Sequence, residues 1–226
     1  MIDISKVKIF GWEEAFRGMR NSWDSHTRAD SSFENENVTL GPNDLYLSRR
    51  LCSAHPSHAK FRRMITVYCD ILAPLYWWKE FDTYKVGTVA NSQSTMHTIT
   101  ARPLTPDDFS HEHLLTLDDK DYSYVVPAAI SVHGEECYYS PDYFITMICE
   151  ILNHFRGLYL ETKDKRYWWQ IIQLLPSSYN QTRTVMMNYE VLSNIYKNRK
   201  DHRLDEWRQF CDWIEKLPYS ELIIGE

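Results

Sequence analysis

The sequence predicts an α/β fold in which a twisted sheet packs against long helices and the C-terminal half is mainly helical. Two observations point there. Residues 63–73 (RMITVYCDILA) set Ile65, Val67, Cys69 and Ile71 against Met64, Thr66, Tyr68 and Asp70, the period of two that buries one face of a strand. After Ser140 the apolar residues recur every three to four positions through successive segments, the period of an amphipathic helix. With 226 residues, 43% of them hydrophobic, the chain suits one domain of roughly 200–250 residues, so 1–226 is read as a single domain.

The elements follow in order. Residues 1–30 read as a strand followed by a helix-and-turn region. Asp44 to Ala54 (DLYLSRRLCSA) places Leu45, Leu47 and Leu51 among charges and reads as a helix. The strand at 63–73 comes next, and Pro74 then opens PLYWWKEFDTY, a helix with proline at its first position. Residues 100–140 are interrupted by Pro103, Pro106 and Pro127 and are acidic over Asp107 to Asp121; they read as a surface insertion, too short for a core of its own. Ser140 and Pro141 cap a helix to about Glu161, with Phe144, Ile145, Ile148, Ile151, Leu152 and Phe155 on one face. A second helix runs from about Lys163 to Leu175, stopping before Pro176. A third is expected from about Arg183 to Asn198, and a fourth from about Leu204 to Lys216 with Leu204, Trp207, Cys211 and Ile214 inward.

Composition excludes several classes of function. A formal net charge of −6 argues against a nucleic-acid polymer as partner, because such binders displace phosphate counterions with a basic surface. The cysteines at 52, 69, 137, 149 and 211 form no C-x-x-C pair, which argues against a zinc ribbon or disulfide framework and for reduced thiols. The N-terminus has no basic, apolar secretion signal and no run approaches 18 apolar residues, so a cytoplasmic protein without a membrane span is expected. The seven glycines match neither G-x-G-x-x-G nor G-x-x-x-x-G-K-[ST], so any nucleotide is held without a Rossmann turn or P-loop. His111 and His113 flank Glu112, but with no third ligand in evidence no metal is expected.

The chemistry concentrates in two stretches. Lys79 to His97 (KEFDTYKVGTVANSQSTMH) follows an aromatic pair and offers Thr83, Tyr84, Lys85, Thr88, Asn91, Ser92, Gln93, Ser94 and Thr95 around Gly87. That density of donors and acceptors suits a ligand-binding turn, although a solvated loop has the same composition. In the expected third helix, Asn188 and Arg199 fall within about 20° of each other, and an amide beside a guanidinium suits a planar, anionic ligand. Arg199 would equally be favoured by the dipole at a helix C-terminus.

Three blocks in order resemble the flavin-dependent thymidylate synthase family, whose signature is R-H-R-x-x-S-x-N-E-x-S-x-R after a strand ending in Ala-Pro. Ala73 and Pro74 precede Tyr84, Lys85, Val86, Gly87 and Thr88, then Asn91, Ser92, Gln93 and Ser94, with one residue inserted near Ala90. Upstream, His58 stands where the family has a histidine, and Arg20 to Asp24 is similar to its R-x-S-[FW]-D segment. Leu175 and Pro176, Thr184 to Asn188, Asn194 and Arg199 keep the spacing of its C-terminal block. Thr83, Tyr84 and Lys85 replace the opening Arg-His-Arg, Ser92 the signature Glu, Met96 its last Arg, and Ile172 a phosphate-binding Arg.

The resemblance implies an α/β homotetramer with shared sites that binds FAD without a Rossmann motif. It implies reductive one-carbon transfer to C5 of a pyrimidine nucleotide, dUMP to dTMP or a close variant, from methylenetetrahydrofolate with NADPH as reductant. Ser22, His58, Lys85, Val86, Thr88, Asn188 and Asn194 would contact the flavin. Glu80, Ser92, Gln93, Ser94 and Arg199 would contact the nucleotide, with Arg199 the catalytic electrophile. Among Lys60, Arg62, Arg63, Lys85 and Arg183, the adjacent Arg62 and Arg63 would replace the missing phosphate-binding arginines. Two alternatives stand beside this: a flavoenzyme for a different pyrimidine nucleotide, and a non-catalytic nucleotide-binding relative.

Overall fold

The structure, a computed structural model, describes residues 1–34, 37–116, 126–127 and 138–225. In chain order the elements are β1 (Asp3–Phe10), α1 (Trp12–Arg20), β2 (Ser32–Glu34), β3 (Asn37–Thr39), α2 (Pro42–Ser53), β4 (Thr66–Pro74), α3 (Leu75–Phe81), β5 (Val89–Ser92), α4 (Thr95–Thr98), β6 (Val126–Pro127), β7 (Tyr138–Tyr139), α5 (Pro141–Thr162), α6 (Lys165–Leu174), β8 (Asn180–Asn188), α7 (Tyr189–Arg199), α8 (Asp205–Glu215) and α9 (Glu221–Ile224). They form two compact units. A sheet unit comprises Ile2–Leu72, Trp77–Ser92 and Thr182–Glu226; a helical unit comprises Met1, Ala73–Tyr76 and Gln93–Gln181.

In the sheet unit the strand order is β1-β4-β8-β5, with β1 antiparallel to β4 and β5 antiparallel to β8. The period of two in 63–73 holds: Val67, Cys69 and Ile71 are buried, while Tyr68 and Leu72 face out. The strand starts at Thr66 rather than Arg63 because Ala59–Arg63 forms a 3-10 turn. Pro74 ends that strand instead of opening the helix, which begins at Leu75. On the outward face Asp70 accepts from Thr184 Oγ1 (2.6 Å) and pairs with Lys6 (2.7 Å) across three strands. Behind the sheet, Trp77 of α3 packs tilted against Trp207 of α8 and Phe81 stacks on it, with centroids 4.7 and 6.4 Å apart. Trp12 of α1 meets Tyr189 and Tyr219 edge-on at 5.2 and 5.6 Å.

The largest correction concerns the expected third helix. Residues 180–188 are strand β8, and the helix starts only at Tyr189. The stretch TRTVMMN buries Val185 and Met187 on alternate positions and finds a partner in β5, whose Ala90, Asn91 and Ser92 pair with Val185, Thr184 and Arg183. β-branched residues favour that pleated surface. The turn side of 79–97 is therefore an edge strand as well as a loop.

In the helical unit, α5 and α6 form an antiparallel hairpin around Ile99, Leu104, Phe109, Ile145, Cys149, Leu152, Ile171 and Tyr179. α5 begins as its sequence demands: Ser140 Oγ accepts from the Tyr143 amide (3.3 Å), with Pro141 at the first position. The Asn153 side chain clamps Leu104, accepting from its N–H (2.7 Å) and donating to its carbonyl (2.8 Å). Residues 117–125 and 128–137 of the expected 100–140 insertion lie outside the described residues.

Candidate functional site

Arg199 sits at the last turn of α7, at the centre of a polar cluster in the sheet unit. Its Nη1 donates to Glu80 Oε2 (2.5 Å) at the end of α3, and its Nε donates to the Tyr84 hydroxyl (2.9 Å). The guanidinium carbon lies 4.6 Å from the Trp207 ring centroid and 5.6 Å from that of Tyr84, within cation–π range of both rings. Trp207 Nε1 donates to the same Glu80 oxygen (3.0 Å). The Leu204 amide donates to His202 Nδ1 (3.2 Å), leaving Nε2 facing Arg199 Nη1 (2.9 Å) and Glu80 Oε2 (3.5 Å). Two of the expected residues, Glu80 and Arg199, are thus brought into direct contact. Of the residues that fix them, the sequence names Tyr84 only within the donor-rich 79–97 stretch and Trp207 only as an inward helix position, and His202 carries no local signal.

Lys85, Val86, Gly87 and Thr88 form the turn that leads from this cluster into β5. Gly87 has φ of 78°, and a Cβ there would lie 3.0 Å from both Asn188 Nδ2 and Val191 Cγ2. Asn188 is not a helix-interior residue: it is the N-cap of α7, its Oδ1 accepting from the Val191 N–H (2.9 Å). That is where an asparagine stabilises a helix instead of competing with it. Thr88 Oγ1 is buried with no hydrogen-bond partner among the described residues, and Val86 is 91% exposed. Gly87→Ala is expected to cost about 1–2 kcal/mol, the penalty of a left-handed L-residue, and more if the Asn188 cap is displaced; urea unfolding measures it.

The other expected residues fall into separate places. Asn194 is exposed on α7, where its carbonyl accepts from Asn198 Nδ2 (2.8 Å). Ser92 is exposed at the end of β5, opposite Arg183. Gln93 and Ser94 belong to the helical unit, where the Gln93 carbonyl accepts from Gln181 Nε2 (2.9 Å) and Ser94 precedes α4. Arg62 is 6% exposed and donates to Ser193 Oγ and the Leu222 carbonyl, both at 3.1 Å; it ties α7 and α9 to the 59–63 turn. Arg63 pairs with Glu190. Neither arginine expected to replace a phosphate anchor is uncommitted.

Ser22 and His58 line a cavity of about 1650 Å³ in the sheet unit, together with Trp23, Arg28, Tyr46, Arg50 and Lys60. Trp23 is 89% exposed and the Arg50 guanidinium lies 5.6 Å over the Tyr46 ring, so the walls offer aromatic faces and positive charge. The loop forming one wall is held by buried groups. Arg20 donates from Nε to Asp44 Oδ1 (2.7 Å) and from Nη1 and Nη2 to the carbonyls of Ser25 and Arg28 (3.1 Å each). Asp44 Oδ2 accepts the amides of Asp30 (3.1 Å) and Ser31 (3.0 Å), and Asp30 in turn accepts those of Asn43 and Asp44 at the start of α2. Burial alone would raise Asp44, but the hydrogen bonds from Ser31, Arg20 and Asp30 outweigh it and hold its carboxyl below the usual range.

Burial pushes the Cys69 and Cys211 thiols up to about 12 and Cys149 to about 11, and raises Cys52. None of these is a thiolate nucleophile at neutral pH. Among the described residues no His/Cys/Asp/Glu group has the makings of a metal site, and no helix is long and apolar enough to cross a membrane.

No protein-family model and no curated protein matches the sequence. Solved structures do match the fold. Thymidylate synthase X from Helicobacter pylori, solved with FAD and dUMP, is 16% identical and aligns over 100% of this chain and 98% of its own, with a TM-score of 0.66. The UMP/dUMP methylase PolB from Streptomyces cacaoi, solved with 5-bromo-dUMP, is 14% identical and aligns over 95% of this chain and 88% of its own, with a TM-score of 0.57. The chain has the mixed α/β fold of these flavin-dependent thymidylate synthase-like proteins.

Proposed function

We propose that this protein is a flavin-dependent methylase of a pyrimidine nucleotide, dUMP or a close variant. The observation that carries the reading is the end-to-end correspondence with folds that hold FAD and a uracil nucleotide. The chain's own chemistry supports it. A flavin adenine dinucleotide needs hydrogen-bond donors for its phosphates and room for planar rings. Exposed Lys85, the unpartnered Thr88 hydroxyl beside Gly87, and a large cavity walled by aromatic and basic groups including Ser22 and His58 suit those needs. Val86, Asn188 and Asn194 complete the proposed cofactor contacts.

Bound FAD would supply the redox chemistry, with NADPH as reductant and methylenetetrahydrofolate as one-carbon donor. Arg199 would hold a carbonyl of the pyrimidine and stabilise negative charge on it while C5 acts as the nucleophile. No thiol is asked to attack C6, in keeping with the raised cysteines. Ser92, Gln93 and Ser94 are proposed nucleotide contacts in the shared sites of a homotetramer. Phe144, Ile151, Leu160, Trp169 and Leu174, all exposed on α5 and α6, offer apolar surface for such assembly. A reducing, cytoplasmic setting suits the cysteines that are free among the described residues. The commitment of Arg62 and Arg63 favours one variation, a pyrimidine ligand whose phosphate is anchored elsewhere or absent.

The test is a visible spectrum of the purified protein, followed by release and identification of the chromophore. Stoichiometric FAD supports the reading; a colourless protein that cannot be reconstituted with FAD overturns it and leaves a non-catalytic relative of the fold. Lys85→Ala is expected to weaken FAD binding at least about tenfold, the worth of a charged hydrogen bond. Unchanged affinity in a flavin-fluorescence titration removes Lys85 from the phosphate site. Release of tritium from C5-labelled dUMP, UMP and dCMP then ranks the substrates.

A further inference from the structure

The Arg199–Glu80 contact leaves one donor and one acceptor uncommitted. Nε and Nη1 of Arg199 are taken by Tyr84, Glu80 and His202, so among the described residues Nη2 has no hydrogen-bond partner. Oε2 of Glu80 takes Arg199 and Trp207 and faces His202, so Oε1 likewise has none. Covalent geometry sets both atoms beside the contact, and the Glu80 side chain is 36% exposed. A guanidinium only donates and an ionised carboxylate only accepts. The cluster therefore displays a donor and an acceptor together, each held by neighbours that are already bonded.

We infer that Glu80 determines specificity by accepting the N3–H of a uracil ring whose adjacent carbonyl accepts from Arg199, so that the pair reads an imide edge. The inference rests on the pyrimidine reading above and deepens it. Uracil alternates carbonyl, N–H and carbonyl, and any adjacent two satisfy one acceptor and one donor. The O2–N3 side of cytosine presents two acceptors and turns a lone pair toward Glu80. Its N3–N4 side satisfies both groups only by putting Arg199 on a ring nitrogen, away from any carbonyl. Trp207 Nε1 and Arg199 both anchor Glu80 Oε2, so the carboxylate cannot swing aside to relieve a mismatch without losing two bonds. A fixed, partly desolvated acceptor left unpaired is what makes a hydrogen-bonding site reject the wrong analogue.

The experiment is isothermal titration of the FAD-loaded full chain with dUMP and with its N3-methyl derivative, in wild type and in Glu80→Ala. In wild type, N3-methylation is expected to weaken binding at least about tenfold, since it removes the donor to a charged acceptor. In Glu80→Ala, which removes the acceptor and makes room for the methyl, the two ligands are expected to bind within about twofold of each other, the error of a coupling measurement. A methylation penalty of the same size in both proteins overturns the edge assignment while leaving the proposed function standing. Failure of wild type to bind dUMP, UMP and dCMP alike overturns the proposed function and this assignment with it. Glu80→Gln, which keeps shape and can offer a donor, guards against misfolding: it is expected to narrow the preference for dUMP over dCMP, and an unchanged preference counts against the inference.

Discussion

Asp44→Asn is expected to lose about 3–5 kcal/mol of folding stability, because it leaves the Arg20 guanidinium buried without a countercharge. The pair is only 3% and 2% exposed, so water cannot compensate. A lower urea midpoint at unchanged slope is the signature. Exchanging both partners for apolar residues would remove the charge cost but still orphan the carbonyls of Ser25 and Arg28 and the amides of Asp30 and Ser31. A double replacement such as Arg20→Met with Asp44→Leu is therefore expected to recover only part of the loss.

The same network sets a pH dependence. Asp44 is held below its ordinary value in the folded protein, so the unfolded chain takes up the proton first as pH falls. Its contribution is complete above about pH 4, the ordinary carboxylate value, and is lost as pH falls through the lower folded value. In Asp44→Asn that part of the acid sensitivity disappears. A stability-versus-pH curve parallel to wild type below about pH 4 would show that Asp44 is not the titrating group.

What was legible in the sequence follows the range of the interaction. Periodicity is local, so the alternation at 63–73 and the Ser140-capped α5 could be read directly. β8 was misread because TRTVMMN carries no strong period, and its strand identity comes from its sheet neighbours β4 and β5, which lie far earlier in the chain. Asn188 looked like an awkward helix residue; the boundary it marks turned it into a cap. Arg199 stood out as a residue, but its partners Glu80 and Tyr84 lie 119 and 115 positions away, beyond any spacing argument. Arg20 attracted notice only as part of a short motif, while its work is done by Asp44 on another helix. The one local signal for the missed cluster was Trp207 in LDEW, an aromatic directly after a run of charges that closes on Arg199.

Arg199→Ala is expected to reduce turnover by about 10²–10³-fold, the cost of removing one preorganised donor from the site of developing charge. The geometry explains why this residue should matter more than an exposed arginine. Its side chain is 17% exposed, its ring faces are set by Trp207, and its Nε and Nη1 are already bonded, so Nη2 is aimed before any ligand arrives. Arg199→Lys separates charge from geometry. Lysine keeps the positive charge but cannot hold Tyr84 and Glu80 while presenting a further donor, nor stack its plane on the indole, so it is expected to lose nearly as much as alanine. If lysine instead restores turnover, charge alone suffices and the cluster only stores a cation. If alanine retains full turnover in the C5 tritium-release assay, Arg199 is a structural pin between α7, α3 and α8. In that case its loss should appear in thermal unfolding, where leaving Glu80 to Trp207 and His202 costs about 1–3 kcal/mol.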